Sequence, residues 1–378
     1  MKGDLAMQNQ RQLFAQNLRR RRTELHMSQV KLAEKISYTG KAVSKWESGL
    51  VLPPAEVLPS IANALDTDLN TLFDFREKAS YFLGIDGGGT KTKFMLTDDG
   101  GNILKAVSLG PCNPVSTGLD ISVNILREGI KKVCGNIPHG KISVFAGIAG
   151  CGVGQNAASI EASFKYMGFS RFKVSHDADN IISAALENRD GIIAILGTGS
   201  VIFAVEDGER RQIGGYGHLI GDVFSGTEFG RACLESVLYD IDTGSKHTAM
   251  TSAVLEKAAK PISEIVADIY KNGKDYMAGF AEILFECAKK GDAAALEILG
   301  RNTEKLADML NCALGSFCEG HEKVPVVLAG GITNYSSCFL PALNQKTLSG
   351  RKSSVTVLDK DPVIGAVLLA GAKKVEEK

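Results

Sequence analysis

The sequence predicts an α/β protein with an all-helical segment in front of it, and three observations carry that expectation. From Tyr81 onward, apolar runs of strand length alternate with stretches of three-and-four apolar spacing, the pattern of strands alternating with helices. Two of those runs, at Tyr81–Leu96 and Ile192–Val205, break into a glycine-rich turn and then resume, so a strand–turn–strand unit occurs twice. Before Tyr81, residues 11 to 73 show only short helical bursts and a surplus of basic side chains.

Those bursts are Phe14 and Leu18, then Leu32, Ala33 and Ile36, then Val43 and Trp46, then Leu58, Ile61 and Leu65, and last Leu69, Leu72 and Phe73. They predict a bundle of about five short helices. Ser28 and Thr39 stand where helix N-caps belong, on either side of a break at Ser37 and Tyr38. Two helices joined by a tight turn, the second with Lys41, Ser44 and Lys45 on its polar side, form a helix-turn-helix whose second helix would enter a major groove. Between Arg11 and Leu50, nine Lys and Arg residues (among them the run Arg19 to Arg22) face only Glu24, Glu34 and Glu47. That imbalance, in a chain of zero net charge, points to an anionic partner for the N-terminal part. The expected division is a helical domain over 11–74, a short charged linker over 75–80 without glycine or proline, and an α/β domain over 81–378. So short a linker should let each part feel the other's orientation.

In the α/β part, the turn after the first strand holds Gly87, Gly88 and Gly89, followed by Thr90 and Lys91. Glycines let backbone N–H groups close on an anion, so this is a candidate phosphate cradle. Asp86, at the strand's end, is placed to hold a metal-bound water beside a polyphosphate. Asp99–Gly101 is a hairpin turn; Val123, Leu126, Ile130 and Val133 mark a helix; Ile142–Ile148 is a buried strand ending near Gly150 and Gly152. A helix around Ile160, Phe164 and Met167 and a strand at Phe172–Ser175 follow, the strand ending in His176 and Asp177. A polar pair beyond a strand's carboxyl end is a candidate catalytic position, although Asp177 could equally cap the next helix. Gly197, Thr198, Gly199 and Ser200 repeat the logic of the first turn. The segment Gly214–Arg231 offers His218 and Asp222 for a polar substrate, and a glycine pair, Gly330 and Gly331, ends a late strand at Val324–Leu328. Residues 232–315 are expected to be mostly helical, and Pro362–Ala370 is an apolar helix.

The chain has 378 residues and is 44% hydrophobic, enough for two or three domains with proper cores. Its eight cysteines lack CxxC spacing and lie mostly in apolar segments, which reads as reduced core residues of a cytoplasmic protein and excludes a zinc or iron–sulfur cluster. No apolar run reaches the length of a membrane span, and the N-terminus lacks a signal-peptide core.

Two resemblances sharpen this reading. The stretch MSQVKLAEKISYTGKAVSKWESGLVLPP is similar to the Cro/C1-type (XRE) family of DNA-binding domains. That resemblance implies that Gln29, Thr39, Lys41, Ser44 and Lys45 face DNA, that Trp46 is core, and that the partner is a double-stranded, two-fold symmetric operator bound by a homodimer. The run from Tyr81 onward resembles the N-acetylglucosamine kinase branch of the BadF/BadG/BcrA/BcrD ATPase family, through GIDGGGTKTK, AGIAGCG, SHDADN, LGTGS, GGYGHLIGD and VVLAGGI. It implies an actin-like, ribonuclease H-like duplicated fold of two lobes that uses ATP and Mg2+ to phosphorylate an amino sugar or hexose. Asp177 then matches the catalytic base, and Asn113 and Asp222 match sugar-contacting residues; Gly215 and His218 are further candidates for the sugar site, and Asp86, read from its place at the strand end, for the metal site. Gly87, Gly88, Gly89, Gly197, Gly199, Gly330 and Gly331 match the nucleotide site, and Thr90, Lys91, Thr198 and Ser200, in the same turns, are candidates for it. One departure stands out: where such kinases commonly read GDEGSG, this chain has Val223 and Phe224. A repressor that senses sugar or nucleotide with little turnover is therefore the alternative.

Overall fold

The computed structural model describes residues 2–25, 27–73, 79–187, 189–317, 323–347 and 354–376. Two compact units are present, Met1–Lys78 and Ala79–Lys378, and most of the expected linker, at 75–78, lies outside the described residues.

In the first unit, α1 (Lys2–Glu24), α2 (Gln29–Lys35), α3 (Gly40–Glu47), α4 (Leu58–Ala64) and α5 (Leu69–Leu72) follow one another. Five helices were expected, yet α1 is 23 residues long and not one short burst among others. Phe14, Leu18, Leu32, Val43, Trp46, Ile61 and Leu65 form one core. The caps fall as the sequence suggests: Ser28 accepts from the Lys31 N–H and Thr39 from the Ala42 N–H.

The second unit contains the same sheet twice. In the first lobe β1 (Tyr81–Gly87), β2 (Thr92–Asp98), β3 (Ile103–Leu109), β4 (Ile142–Ile148) and β5 (Arg171–Ser175) are ordered β3-β2-β1-β4-β5. In the second, β6 (Gly191–Leu196), β7 (Ser200–Glu206), β8 (Glu209–Ile213), β9 (Val326–Ala329) and β10 (Val355–Val357) are ordered β10-β9-β6-β7-β8. Each begins as an antiparallel three-strand meander and gains two parallel strands on the first strand's other side.

The first lobe's helices are α6 (Pro114–Thr117), α7 (Leu119–Cys134), α8 (Asn156–Tyr166) and α9 (Asp177–Leu186). The second lobe's are α10 (Gly226–Thr243), α11 (Ala249–Ala258), α12 (Ile262–Ala278), α13 (Ala281–Lys289), α14 (Ala293–Gly315) and α15 (Leu340–Lys346), and the C-terminal α16 (Pro362–Leu369) returns to pack on the first lobe's sheet. Strands covered on both faces explain the near-continuous apolar runs. Leu83 and Ile85 of β1 pack among residues of α7 and α8, whereas Phe82 packs against Val363, Ala366 and Val367 of α16. Ile192, Ala194 and Leu196 of β6 pack with α10, α13 and α14, whereas Ile193 meets Leu186 and Ile182 of α9.

Helix α9 thus lies between the sheets with α16 beside it on the first sheet, and glycines let these elements approach closely. A Cβ on Gly365 would stand 1.9 Å from the Asn180 carbonyl oxygen, and one on Gly84 would stand 2.6 Å from the Val367 nitrogen. Five of the described cysteines are buried as expected, while Cys312 is exposed and Cys338 partly so; Cys318 lies outside the described residues. No described helix is long and apolar enough to cross a membrane.

Candidate functional site

The carboxyl ends of β1 and β4 and the amino end of α9 meet at one point in the first lobe. Asn180, fully buried on α9, donates its amide to Asp86 Oδ1 at 2.8 Å and to the carbonyls of Ile85 and Gly147 at 3.2 Å each. Gly147 leaves the room for it, since a Cβ there would lie 2.3 Å from the Asn180 oxygen. Burial pushes the Asp86 carboxyl up to about 6; the Asn180 bond opposes the rise, and the charges of Asp177 and Asp361 add to it. Lys93, facing Asp86 in the β1–β2 register, is engaged by Asp361, the N-cap of α16. Asp177 is the first residue of α9, His176 being the N-cap, so the capping role the sequence left open for Asp177 is not the one it plays. Its Oδ1 accepts from the Ala178 N–H at 3.1 Å, and burial is the largest influence raising its carboxyl above the ordinary range. Nearby, Asn113 caps α6 by accepting from the Val115 N–H, and its oxygen fills the space that a side chain on Gly150 would occupy.

Both glycine turns are built alike. In the first, the Gly87 carbonyl accepts from the Ala149 N–H and the Gly88 carbonyl from the Cys112 N–H. In the second, the Gly197 and Thr198 carbonyls accept from the Gly226 and Thr227 N–H groups at the start of α10. In a trans peptide the carbonyl and the following N–H point in opposite directions, so the N–H groups of Gly89, Thr198 and Gly199 face away from these anchors. Asp222 packs close to this second turn: a Cβ on Gly199 would lie 2.8 Å from Asp222 Oδ2, while Oδ1 accepts from the Gly217 N–H at 3.0 Å. Gly330, at φ +100, touches the end of β6, where a Cβ would stand 2.4 Å from the Leu196 oxygen.

The structure therefore gathers Asp86, Gly87 and Asp177 at the first lobe's strand ends, with Asn113 near them. It gathers Gly197, Thr198, Gly199, Asp222 and Gly330 at the second lobe's. Gly89, Thr90 and Lys91 form the exposed tip of the first turn, after half-buried Gly88. The Ser200 hydroxyl donates to the Val223 carbonyl at 2.6 Å, so it ties the turn to the next loop and is not a spare donor. Gly215 packs on Val201, and Gly331 has open space where a Cβ would stand. Among the described residues no hydrogen bond joins half-buried His218 to this group. Sequence reasoning missed Asn180; its only signal was its place three residues after Asp177, one helical turn on.

Phe224 has φ +64, a left-handed backbone natural to glycine, and its fully buried ring meets Phe229 and Phe339 edge-on, each at 4.8 Å. The glycine of the common pattern is thus replaced here by a side chain held through packing.

In the helical unit, Thr39, Lys41, Ser44 and Lys45 are exposed on or beside α3, and Trp46 is buried. The arginine run divides. Arg22 is buried and forms a two-pronged pair with Glu47, whose Oε2 also accepts from the Gln29 amide at 2.8 Å. Arg21 donates to the carbonyls of Leu65 and Asp66 at the end of α4, at 3.0 and 2.7 Å. Only Arg19 and Arg20 of the run remain exposed, and one of the two Gln29 amide N–H donors is already in use.

A sheet duplicated in this way, with glycine turns at the strand ends, defines an actin-like two-lobed protein joined to a helix-turn-helix unit. Residues 83–370 match the model of the BadF/BadG/BcrA/BcrD ATPase family, to which the chain belongs, and residues 18–72 match a helix-turn-helix model. The chain is 26% identical over 299 residues to the N-acetylmuramic acid/N-acetylglucosamine kinase of Clostridium acetobutylicum, covering 77% of this chain and 98% of that one. It is 28% identical over 310 residues to the N-acetyl-D-glucosamine kinase of Dictyostelium discoideum, covering 76% and 97%. A solved structure from Chromobacterium violaceum, provisionally designated an N-acetylglucosamine kinase, has the same fold at a TM-score of 0.63 and 24% identity, covering 77% of this chain and 99% of that one.

Proposed function

We propose that the second unit is an ATP-dependent kinase for an N-acetylhexosamine hydroxyl and that the first unit brings it to operator DNA as a homodimer in the cytoplasm. The single observation that carries the kinase reading is the similar construction of the two glycine turns: their carbonyls are anchored inward, and although the Gly88 N–H is taken by the Lys91 carbonyl, those of Gly89, Thr198 and Gly199 face outward. Two such cradles suit the two ends of a polyphosphate. Gly87–Lys91 and Gly197–Ser200 hold the phosphates, and Gly330 and Gly331 admit the nucleoside. Buried Asp86, repelled by Asp177 and Asp361, fits a divalent cation, and Asp86 would hold Mg2+ through water. When bound, Mg2+ neutralises charge on the phosphates. Asn113, Gly215, His218 and Asp222 orient the sugar. Asp177 accepts the proton of the attacking hydroxyl, its raised pKa bringing it nearer the working pH. On DNA, Lys41, Ser44 and Lys45 face the major groove, with Thr39 and Gln29 at the helix starts.

The test is ADP release across a panel of hexoses and N-acetylhexosamines, with Asp177→Asn as control. Turnover should fall about 10²- to 10⁴-fold in the variant with sugar affinity kept; a variant as active as the wild type would refute the base. Phe224 and Val223 favour a second reading, a sensor that binds but does not turn over. Nucleotide binding without ADP release from any sugar would select it. For the first unit, a titration of two-fold symmetric DNA at several salt concentrations should show Lys45→Ala lowering the salt slope by about one; an unchanged slope would remove Lys45 from the interface.

A further inference from the structure

Helix α9 presents two different faces. Asp177, Asn180 and Ala184 look toward the strand ends of the first lobe and α16, where a Cβ on Gly365 would meet the Asn180 oxygen and, at 2.6 Å, the Ala184 nitrogen. Asp179, Ile182, Ser183 and Leu186, spaced three, four and seven apart, line a separate cavity of about 530 Å³ behind the helix. Its other walls come from β5 and from the β7–β8 hairpin of the second lobe.

Three cations converge on this cavity: Lys173, Arg189 and Arg210. Two acids also line it. Asp179 is taken up by Arg210 and by the Ser175 hydroxyl, and Asp190 accepts from the Asp207 N–H at 2.9 Å. Arg189 donates its Nε to the Leu186 carbonyl at 3.3 Å and reaches Glu187 only at 3.9 Å, through exposed side chains, and Lys173 lies over the Phe145 ring at 5.9 Å. The balance of lightly committed charge is therefore positive. Independently, Ser183 is 6% exposed and its hydroxyl has no hydrogen-bond partner among the described residues. A buried hydroxyl without a partner costs stability unless something supplies one. Ile182, Leu186 and Val205 make part of the wall apolar, which suits a ligand with a carbon body, and the volume suits a small molecule.

We propose that the cavity behind α9 is a second ligand site, for a small organic phosphomonoester of hexose-phosphate size, held by Lys173, Arg189 and the Ser183 hydroxyl. Because the same helix carries Asp177, occupancy there biases the position of the proposed base; this consequence rests on the kinase reading, whereas binding itself does not.

Calorimetry on the full chain tests it, with N-acetylglucosamine 6-phosphate and inorganic phosphate as probes. The phosphosugar should bind the wild type, and Lys173→Gln with Arg189→Gln should weaken it at least about tenfold. Ser183→Ala should weaken it by a smaller factor, and Lys173→Arg should keep it. Binding should survive Gly199→Val in the second turn. Thermal melting of each variant separates lost binding from lost fold. Three results would overturn the proposal: no phosphosugar binding, binding abolished by Gly199→Val but kept in the folded Lys173/Arg189 variant, or inorganic phosphate binding as tightly as the sugar ester. The last would make the cavity a free-phosphate site.

Discussion

Asp86→Asn should stabilise the protein at neutral pH while removing its proposed metal site. Asp86 is pushed from an ordinary value of 3.8 to about 6, chiefly by burial. Between those values the folded protein holds a proton that the unfolded chain has released, so stability falls as pH rises through this window and levels off above about 6. At about 1.4 kcal/mol per pH unit, the full shift corresponds to about 3 kcal/mol, and residual solvation reduces the expected gain to about 1 to 3 kcal/mol. An asparagine keeps the oxygen that accepts from Asn180 and carries no charge to bury. Thermal melts in EDTA should place the variant about 2 to 6 °C above the wild type at pH 8, the gap closing toward pH 4. At pH 8 with magnesium, calorimetry should show ATP binding weakened in the variant. Equal melting at all pH values, or a gap that widens on acidification, would refute the argument.

Asn180→Ala removes the clamp on Asp86 and two strand-end carbonyls; the magnesium concentration for half-maximal ATP binding should rise, and an unchanged value would reduce Asn180 to packing. Phe224→Gly relieves a strained φ worth about 1 to 3 kcal/mol but deletes a fully buried ring worth about 3 to 5, so packing wins and melting falls; a more stable variant would show that strain dominates. Arg22→Met leaves Glu47 buried and unpaired, at about 3 to 5 kcal/mol. Hydrogen exchange over residues 11–72 of the full chain should accelerate in that variant and recover in Arg22→Met/Glu47→Leu, whereas unchanged exchange would mean the pair does not hold the unit together.

Most of the fold was legible because its strands are buried on both faces and announce themselves as apolar runs. β1, β4 and β6 lie within a residue of their expected bounds. The edge strands of the second lobe were not read. β8 is ERRQI, four exposed residues and one half-buried, and β10 has three residues; an edge strand buries too little to leave a period-two signature. The position of α9 between the sheets, and of α16 on the first sheet beside it, was equally hidden. An amphipathic pattern says that a helix has a covered face, and does not say which sheet covers it.

The site was legible where chemistry and chain position coincide, and silent where it depends on a partner distant in sequence. Asp86, Asp177 and the glycine turns stand at strand ends, a place the pattern of apolar runs already marks. Asn180 matters through Ile85, Asp86 and Gly147, at separations of 95, 94 and 33 residues. Locally, only its place one helical turn after Asp177 sets it apart from a solvent-facing asparagine. The arginine run shows the converse error, because four adjacent cations look like one electrostatic feature. A helix turns about 100° per residue, so Arg19 to Arg22 cannot share a face. Arg22 is drawn to Glu47 in the core, Arg21 to the carbonyls that end α4, and only Arg19 and Arg20 stay in solvent. Two of the four charges thus hold the unit together, while the others, with Lys41 and Lys45, stay exposed on it.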